Sequence, residues 1–275
     1  IRADQAKAGN DEGGTVGTVW MSGAFGKISM GDVDGAATMA VGHVDGVGLT
    51  GLGDANENVF FSNGGFESNG ALAPGLAAGT LITQDPSALY EYSAGNVSVY
   101  ASVTQPTFQF AAIGNVYDGD AYGLGVAYTM GDYKVSLGYE RMDVQNVVNP
   151  NDFMKIDHLI IGGDATFGQI TVKARYGKAD VDYFGAASDG KFTQGALSAT
   201  YKMDAISVTA FGSQKRLKNA ATGANELRTD AIGLGGAYDL GGGASVKGGV
   251  VRVGNTVGAL PKVSDTSFDL GVLFT

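Results

Sequence analysis

The stretch NDEGGTVGTVWMSGAFGKISMGDVDG, residues 10–35, decides how this chain is read. Two runs of mixed apolar and small residues meet at Gly23-Ala24-Phe25-Gly26, with acid-rich, glycine-rich segments on either side. The reading is a hairpin with a very short turn at one end and long polar links at the other. A sheet bathed in water does not need that asymmetry. A barrel threaded through a membrane shows it, with short turns on one rim and long loops on the other.

The same alternation recurs along the chain. SAGN at 93–96, MGD at 130–132, FGQ at 167–169, KMDA at 202–205 and LGGG at 240–243 are short turns. Longer polar links fall at about 8–14, 33–86, 104–120, 142–156, 178–191, 215–226 and 253–264. The segments between them have period two. Tyr133, Val135, Leu137 and Tyr139 share one face, and Lys134, Ser136, Gly138 and Glu140 the other. Ile170, Val172, Ala174 and Tyr176 oppose Thr171, Lys173, Arg175 and Gly177. Leu159, Ile161, Ala165 and Phe167 oppose His158, Asp164 and Thr166, and Phe268, Leu270, Val272 and Phe274 form the apolar face of the last segment. Whole charges in mid-strand on the polar face suit a wet lumen, with the apolar face toward lipid. The count is about fourteen strands, each near the ~9–11 residues of a tilted membrane strand. Tyrosines and phenylalanines near strand ends, among them Tyr90, Tyr128, Tyr133, Phe167, Tyr201, Tyr238 and Phe274, suggest interfacial girdles.

Composition agrees. Glycine is 45 of 275 residues, more than twice the usual share of about 7 %, while proline is 5 and cysteine 0. That balance fits many strands with tight turns better than disorder. The net charge of −10 speaks against nucleic acid as a partner. No apolar run approaches the ~18 residues of a membrane helix. The opening IRADQAKAGN has no signal-peptide pattern and reads as the middle of a strand.

TVWMSGAFGKISMGD (18–32), a long link, LYEYSAG (89–95), VAYTMGDYKVSLGYE (126–140), GLGGAYDLGGGASVKGG (233–249) and DLGVLF (269–274), in this order, resemble the general porins of alphaproteobacteria, the Rhodobacter type. The resemblance implies an all-β fold, a transmembrane antiparallel β-barrel of ~16 strands in the full protein. About two strands would then precede Ile1, and a terminal residue would follow Thr275. It also implies a homotrimer in the bacterial outer membrane, in contact with the lipid bilayer and lipopolysaccharide, passing small hydrophilic solutes by diffusion. The outer faces near Trp20, Met30 and the last strand would supply the trimer contact. Residues 1–275 form one domain, with 33–86 as a loop that folds inward and narrows the pore.

That loop carries Asp34, Asp45, Asp54, Glu57, Glu67 and Asp85, and no Lys or Arg occurs between Lys27 and Lys134. By resemblance Asp45, Asp54, Glu57, Glu67 and Asp85 form the acidic side of the constriction, and acidic rings favour cations. Arg2 and Lys7 fall where the opposing basic wall would continue. Lys134, Lys173, Arg175, Lys202 and Lys247 read as charges that keep the lumen wet. The abundance of Gly, Ala and Val in the loop points to mild selectivity.

Chemistry is thinly represented. His43 lies in the loop and His158 on a strand; Asp157 is adjacent, but strand neighbours point to opposite faces and form no dyad. GLGVAY and GLGGAY open no helix and are not dinucleotide loops. GDANEN (53–58) and NPNDF (149–153) supply oxygen ligands of the kind that hold Ca²⁺, without EF-hand spacing. No other cofactor is expected. The alternatives to a diffusion channel are an outer-membrane barrel enzyme, which needs a Ser/His or Asp/His pair near the rim, and a β-rich structural or adhesive protein with its apolar faces in a core.

Overall fold

The computed structural model describes residues 2–4, 17–61, 80–83, 87–105, 107–110, 115–149, 153–183 and 189–274. In chain order these form β1 (Arg2–Asp4), β2 (Thr18–Gly23), β3 (Gly26–Gly31), α1 (Ala36–Val41), β4 (Thr80–Thr83), β5 (Ser87–Ala94), β6 (Val97–Thr104) and β7 (Thr107–Phe110). Nine longer strands follow: β8 (Asn115–Met130), β9 (Tyr133–Asn146), β10 (Phe153–Phe167), β11 (Ile170–Tyr183), β12 (Gly190–Met203), β13 (Ile206–Asn219), β14 (Asn225–Gly241), β15 (Ala244–Val257) and β16 (Val263–Phe274). All pair antiparallel in one sixteen-stranded sheet, a single path from β1 to β16 from which only β4 and β7 depart. Fourteen strands therefore make up the wall among the described residues, as the period-two segments require.

Each expected short turn closes a hairpin. Gly95, Gly131 and Gly168 take φ of 58°, 57° and 61° there, the left-handed backbone that a two-residue turn needs if its twist is to match the strands. At the opposite rim the strands outrun the sequence reading. β8 begins at Asn115 rather than 121, β9 runs to Asn146, and β13 reaches Asn219. In 143–146 and 216–219 the polar Asp143, Gln145, Arg216 and Lys218 alternate with Val144 and Leu217, which are buried inside the wall, so period two continues through segments whose charges read as links. The links at 142–156 and 215–226 are correspondingly shorter than expected.

The alternation of faces is as expected. Leu124, Val126, Val135, Leu137, Leu159, Ile161, Leu197, Ile232, Leu234 and Val250 lie on the outside, with between 38 % and 64 % of their surface exposed. This apolar belt exceeds what a soluble monomer leaves open to water, and it contradicts the structural or adhesive alternative. Tyr128 and Tyr133 bound it at the short-turn end, and Tyr122, Tyr139 and Tyr176 at the other. Tyr133 and Tyr139 are six residues apart, which spans about 20 Å along a strand. Among the described residues no helix is long and apolar enough to cross a membrane. The chain crosses with strands.

The buried core is not within the sheet. It lies between the inside of the wall and residues 36–61. Val59 and Phe61 pack with Ala121, Met142, Ile156, Phe192 and Leu217. Val44, Val47 and Ala55 pack with Ala196, Phe211, Ala231 and Val251. Ala37, Ala40, Val41 and Phe60 pack with Ile160. This one segment touches strands from β6 round to β16, so the wall is curled about it as a barrel. Much of the inner face that periodicity marks as polar is thus apolar and covered. Trp20 departs from expectation: it pairs with the buried Ser29 and has Lys27 above its ring at 5.9 Å. It faces inward, and Val19, Met21 and Met30 face out.

Candidate functional site

Residues 32–61 leave β3 at the long-link rim and fold back into the barrel as a flat flap. The flap starts at α1, whose Ala36, Ala37, Ala40 and Val41 are all buried. The wall beneath is glycine. A Cβ on Gly125 would overlap the Ala36 carbonyl oxygen, and one on Gly138 would lie 2.9 Å from the Ala37 Cα. These glycines are cross-strand neighbours on β8 and β9, and together they leave room for helix backbone. The Ala36 N–H donates to Ser102 Oγ on β6 at 2.9 Å. The outward neighbours in these rows are Leu124, Val126, Leu137 and Tyr139, so the helix sits level with the apolar belt.

From α1 the flap crosses toward β16. Asp45 accepts Lys173 Nζ at 2.6 Å and Thr200 Oγ1 at 3.0 Å, and its N–H donates to Ser198 Oγ. Arg175 donates to the carbonyls of Gly42 and His43 and to Asp164. Val47 and Gly48 pass over a second cross-strand glycine pair, Gly235 and Gly249. At the far side Asp269 on β16 accepts the N–H groups of Leu49 and Thr50 at 2.7 Å and the Thr50 hydroxyl at 2.9 Å. Lys173 and Arg175 are therefore anchors for the flap rather than charges that merely wet the lumen.

The chain then turns through left-handed backbone at Gly51, Leu52, Gly53 and Asp54 and returns along the wall. Ser213 on β13 donates to the Ala55 carbonyl. Gln194 on β12 accepts the Val59 N–H at 2.7 Å and donates to its carbonyl at 2.8 Å, standing in for a neighbouring strand. Glu140 on β9 accepts the Phe61 N–H at 3.1 Å. Glu140, His158 and Gln194 are linked, with His158 Nδ1 2.7 Å from Glu140 Oε2 and Nε2 3.1 Å from Gln194 Nε2. A carboxylate only accepts, so Nδ1 carries the proton and Nε2 accepts from the amide. That assignment satisfies the whole buried network with a neutral imidazole.

The two histidines do no chemistry in this arrangement. His158 is fully buried between Phe60 and Phe61. Asp157 points the other way and takes the Tyr139 hydroxyl at 2.6 Å. His43 Nδ1 accepts the Asn58 N–H at 3.0 Å. Burial, then the charges of Lys215 and Arg175, lower its pKa to about 4. No rim-exposed Ser/His or Asp/His pair occurs among the described residues, and no group of three or more His, Asp or Glu comes together as a metal site there.

The loop acids divide into two kinds. Asp45 is consumed by Lys173 and Thr200. Asp34 and Asp54 stay exposed and Glu57 is half-buried. Glu57 feels the other two: burial, then Asp54 and also Asp34, raise its pKa from the ordinary carboxylate value. Burial and Asp32 raise Asp34. Lys215, only 4 % exposed, is the cation beneath them, with Glu57 and Asp54 the acids acting on it. It lies on β13 between Ser213, which holds Ala55, and Leu217, which packs on Val59 and Phe61. Sequence reasoning missed Lys215 because it ended that strand there and opened a link. The alternation through Phe211, Ser213, Lys215 and Leu217 is the signal that finds it. Glu67, Asp85 and Lys7 lie outside the described residues. Arg2 is described as backbone only, in register with Trp20.

A family profile described as Gram-negative porin matches residues 2–258. A porin of Rhodobacter capsulatus is 35 % identical over 277 residues, covering 96 % of this chain and 82 % of that protein. A refined porin structure matches with a TM-score of 0.68 at 30 % identity, over 94 % of this chain and 80 % of that one. OmpT of Vibrio cholerae shares the fold, with a TM-score of 0.62 at 17 % identity over 94 % of this chain and 79 % of its own.

Proposed function

We propose how this chain, which belongs to the Gram-negative porin family, sets the passage of solutes through itself. As a porin it is a passive diffusion channel of the bacterial outer membrane, and a channel rather than an enzyme. Its selectivity is our reading: a mild cation preference imposed by the flap.

One observation carries this reading. The flap lies on the inner wall from β6 to β16, level with the apolar belt, and its return limb bears Asp54 and Glu57 near Asp34, with the buried Lys215 as the cation that acts on Glu57 among the described residues. A water-filled passage past an edge with more acids than cations concentrates cations. The inner side of β2 and β3, with Trp20, Lys27 and Ser29, is a further part of the wall. Arg2 and Lys7 would extend its basic character, and Glu67 and Asp85 the acidic side, within a loop spanning 33–86. Asp45, neutralised by Lys173, contributes to anchoring more than to selectivity. Small hydrophilic solutes are the cargo, without a dedicated binding site. Ca²⁺ in the 53–58 turn remains a proposal, supported by its oxygen-rich composition alone.

The test is the reversal potential of the protein in a planar bilayer under a salt gradient. The wild type should show ohmic steps with a modest cation preference. Asp54→Asn with Glu57→Gln should lower the cation-to-anion permeability ratio by roughly a factor of two, more at low salt than at high. An unchanged ratio in the double variant would remove the flap from selectivity.

A further inference from the structure

One group of cations is not in the lumen at all. It sits on the outer wall, above the apolar belt, and the register fixes where. The row Tyr176–Gly195–Gln214–Asp230 runs across β11 to β14 and includes an upper girdle tyrosine. The next row of outward positions toward the long-link rim is Lys178–Thr193–Arg216–Arg228, and the one after it Asp180–Lys191–Lys218. Arg216 thus stands directly opposite Arg228, and Lys191 directly opposite Lys218. Like charges opposed across a ladder destabilise a sheet, and here two such pairs are stacked.

Their inward neighbours Phe192, Lys215 and Leu217 are buried beneath the flap, which confirms the outward direction of this set. Internal compensation is incomplete. Asp230 holds Arg228 at 2.9 Å and Lys262 at 3.2 Å, and Asp180 faces Lys191 in register. Arg216 reaches only the Gln214 amide oxygen, at 3.2 Å, and its Nε has no partner among the described residues. Lys191 and Lys218 enter no ion pair among the described residues. A protein of net charge −10 thus keeps a cationic patch at the head-group level of the membrane.

We infer that the outward patch Lys191–Arg216–Lys218–Arg228 on β12 to β14 is a docking surface for the phosphate groups of outer-leaflet lipopolysaccharide. The inference rests on the outer-membrane reading and adds the site to it. Charge complementarity identifies the occupant. The patch begins at the tyrosine row where acyl chains end, so an anion there is presented by the leaflet itself. An Arg fork beside two ammonium groups suits phosphate oxygens, and a phosphate between the opposed cations removes the repulsion that the sheet otherwise carries. A cation facing an anionic membrane surface contributes about fivefold in affinity.

The experiment uses the full chain, purified in detergent, with bisphosphorylated lipid A as probe and native mass spectrometry as readout. The triple variant Lys191→Gln, Arg216→Gln, Lys218→Gln should bind lipid A on the order of a hundredfold more weakly. Dephosphorylated lipid A should bind wild type and variant alike. Single-channel conductance should be the same in both, so failure of this inference is distinct from failure of the channel reading. Should the triple variant not fold, Lys218→Gln alone is expected to cost about fivefold and Lys218→Arg nothing. Equal lipid A binding by wild type and the folded variant overturns the inference. Displacement of lipid A by millimolar inorganic phosphate overturns the lipid as source and assigns the patch to the free anion.

Discussion

His43 shows how one side chain ties the flap to the pH of the medium. Its Nδ1 must be unprotonated to accept the Asn58 N–H. In the docked flap its pKa is lowered to about 4, chiefly by burial, with Lys215 and Arg175 adding to it and Asp54 opposing. A detached flap would let it titrate near the ordinary ~6.5. The released form therefore binds more protons, and attachment weakens as pH falls from about 6.5 toward about 4 and is complete above that window. Asp34 and Glu57 act in the opposite sense: burial first, then neighbouring acids, raise their pKa values, so acid relieves the cost of holding them charged in the docked flap. Protease cleavage of the 42–58 segment should accelerate on acidification through this window, and His43→Phe should flatten the change. A wild-type profile identical to that of His43→Phe would show that His43 is not the sensor. Nothing in the sequence distinguishes this histidine from a solvated loop residue; its partner Asn58 is fifteen positions away and meets it only because the flap doubles back.

The flap as an element depends on the wall having no side chains where it crosses. Gly138→Val would bring its Cβ to 2.7 Å from the Ala37 Cβ, with a branched side chain beyond, so α1 must lift from the wall. The expected cost is about 1–3 kcal/mol of overpacking, read as a lower denaturation midpoint, with a single-channel conductance below wild type as the helix moves into the lumen. Unchanged conductance and midpoint would mean that the helix does not rest there. Strand positions and faces were legible in the sequence because period two survives any barrel curvature: Tyr133 to Glu140 alternates as read. The path of the flap was not. Its docking signal is glycine at inward positions, Gly125 and Gly138, then Gly235 and Gly249, and an inward glycine looks the same in sequence as one serving a turn. The roles of Lys173 and Arg175 were hidden for a related reason, since their partners Asp45 and Gly42 lie more than a hundred residues away.

The assembled barrel has two unlike sectors outside. From β8 to β15 a charged rim tops the apolar belt, whereas β2, β3, β5 and β6 present Val19, Met21, Met30, Val97, Val99 and Val103 without an outward cation among the described residues. The second sector suits another copy of the chain, and chemical crosslinking in detergent should give a trimer band that Met30→Lys with Val99→Lys abolishes; monomers alone in the wild type would refute the trimer. Trp20, inward against Lys27, takes no part. On our reading of the whole channel, the flap's acidic return limb borders the open passage. The chain has no cysteine, so Asp54→Cys creates a unique thiol there. A charged, water-soluble thiol reagent added during single-channel recording should reduce the current in discrete steps, with a cationic adduct also shifting the reversal potential toward anions. Complete labelling of that thiol with current and reversal potential unaltered would contradict that reading.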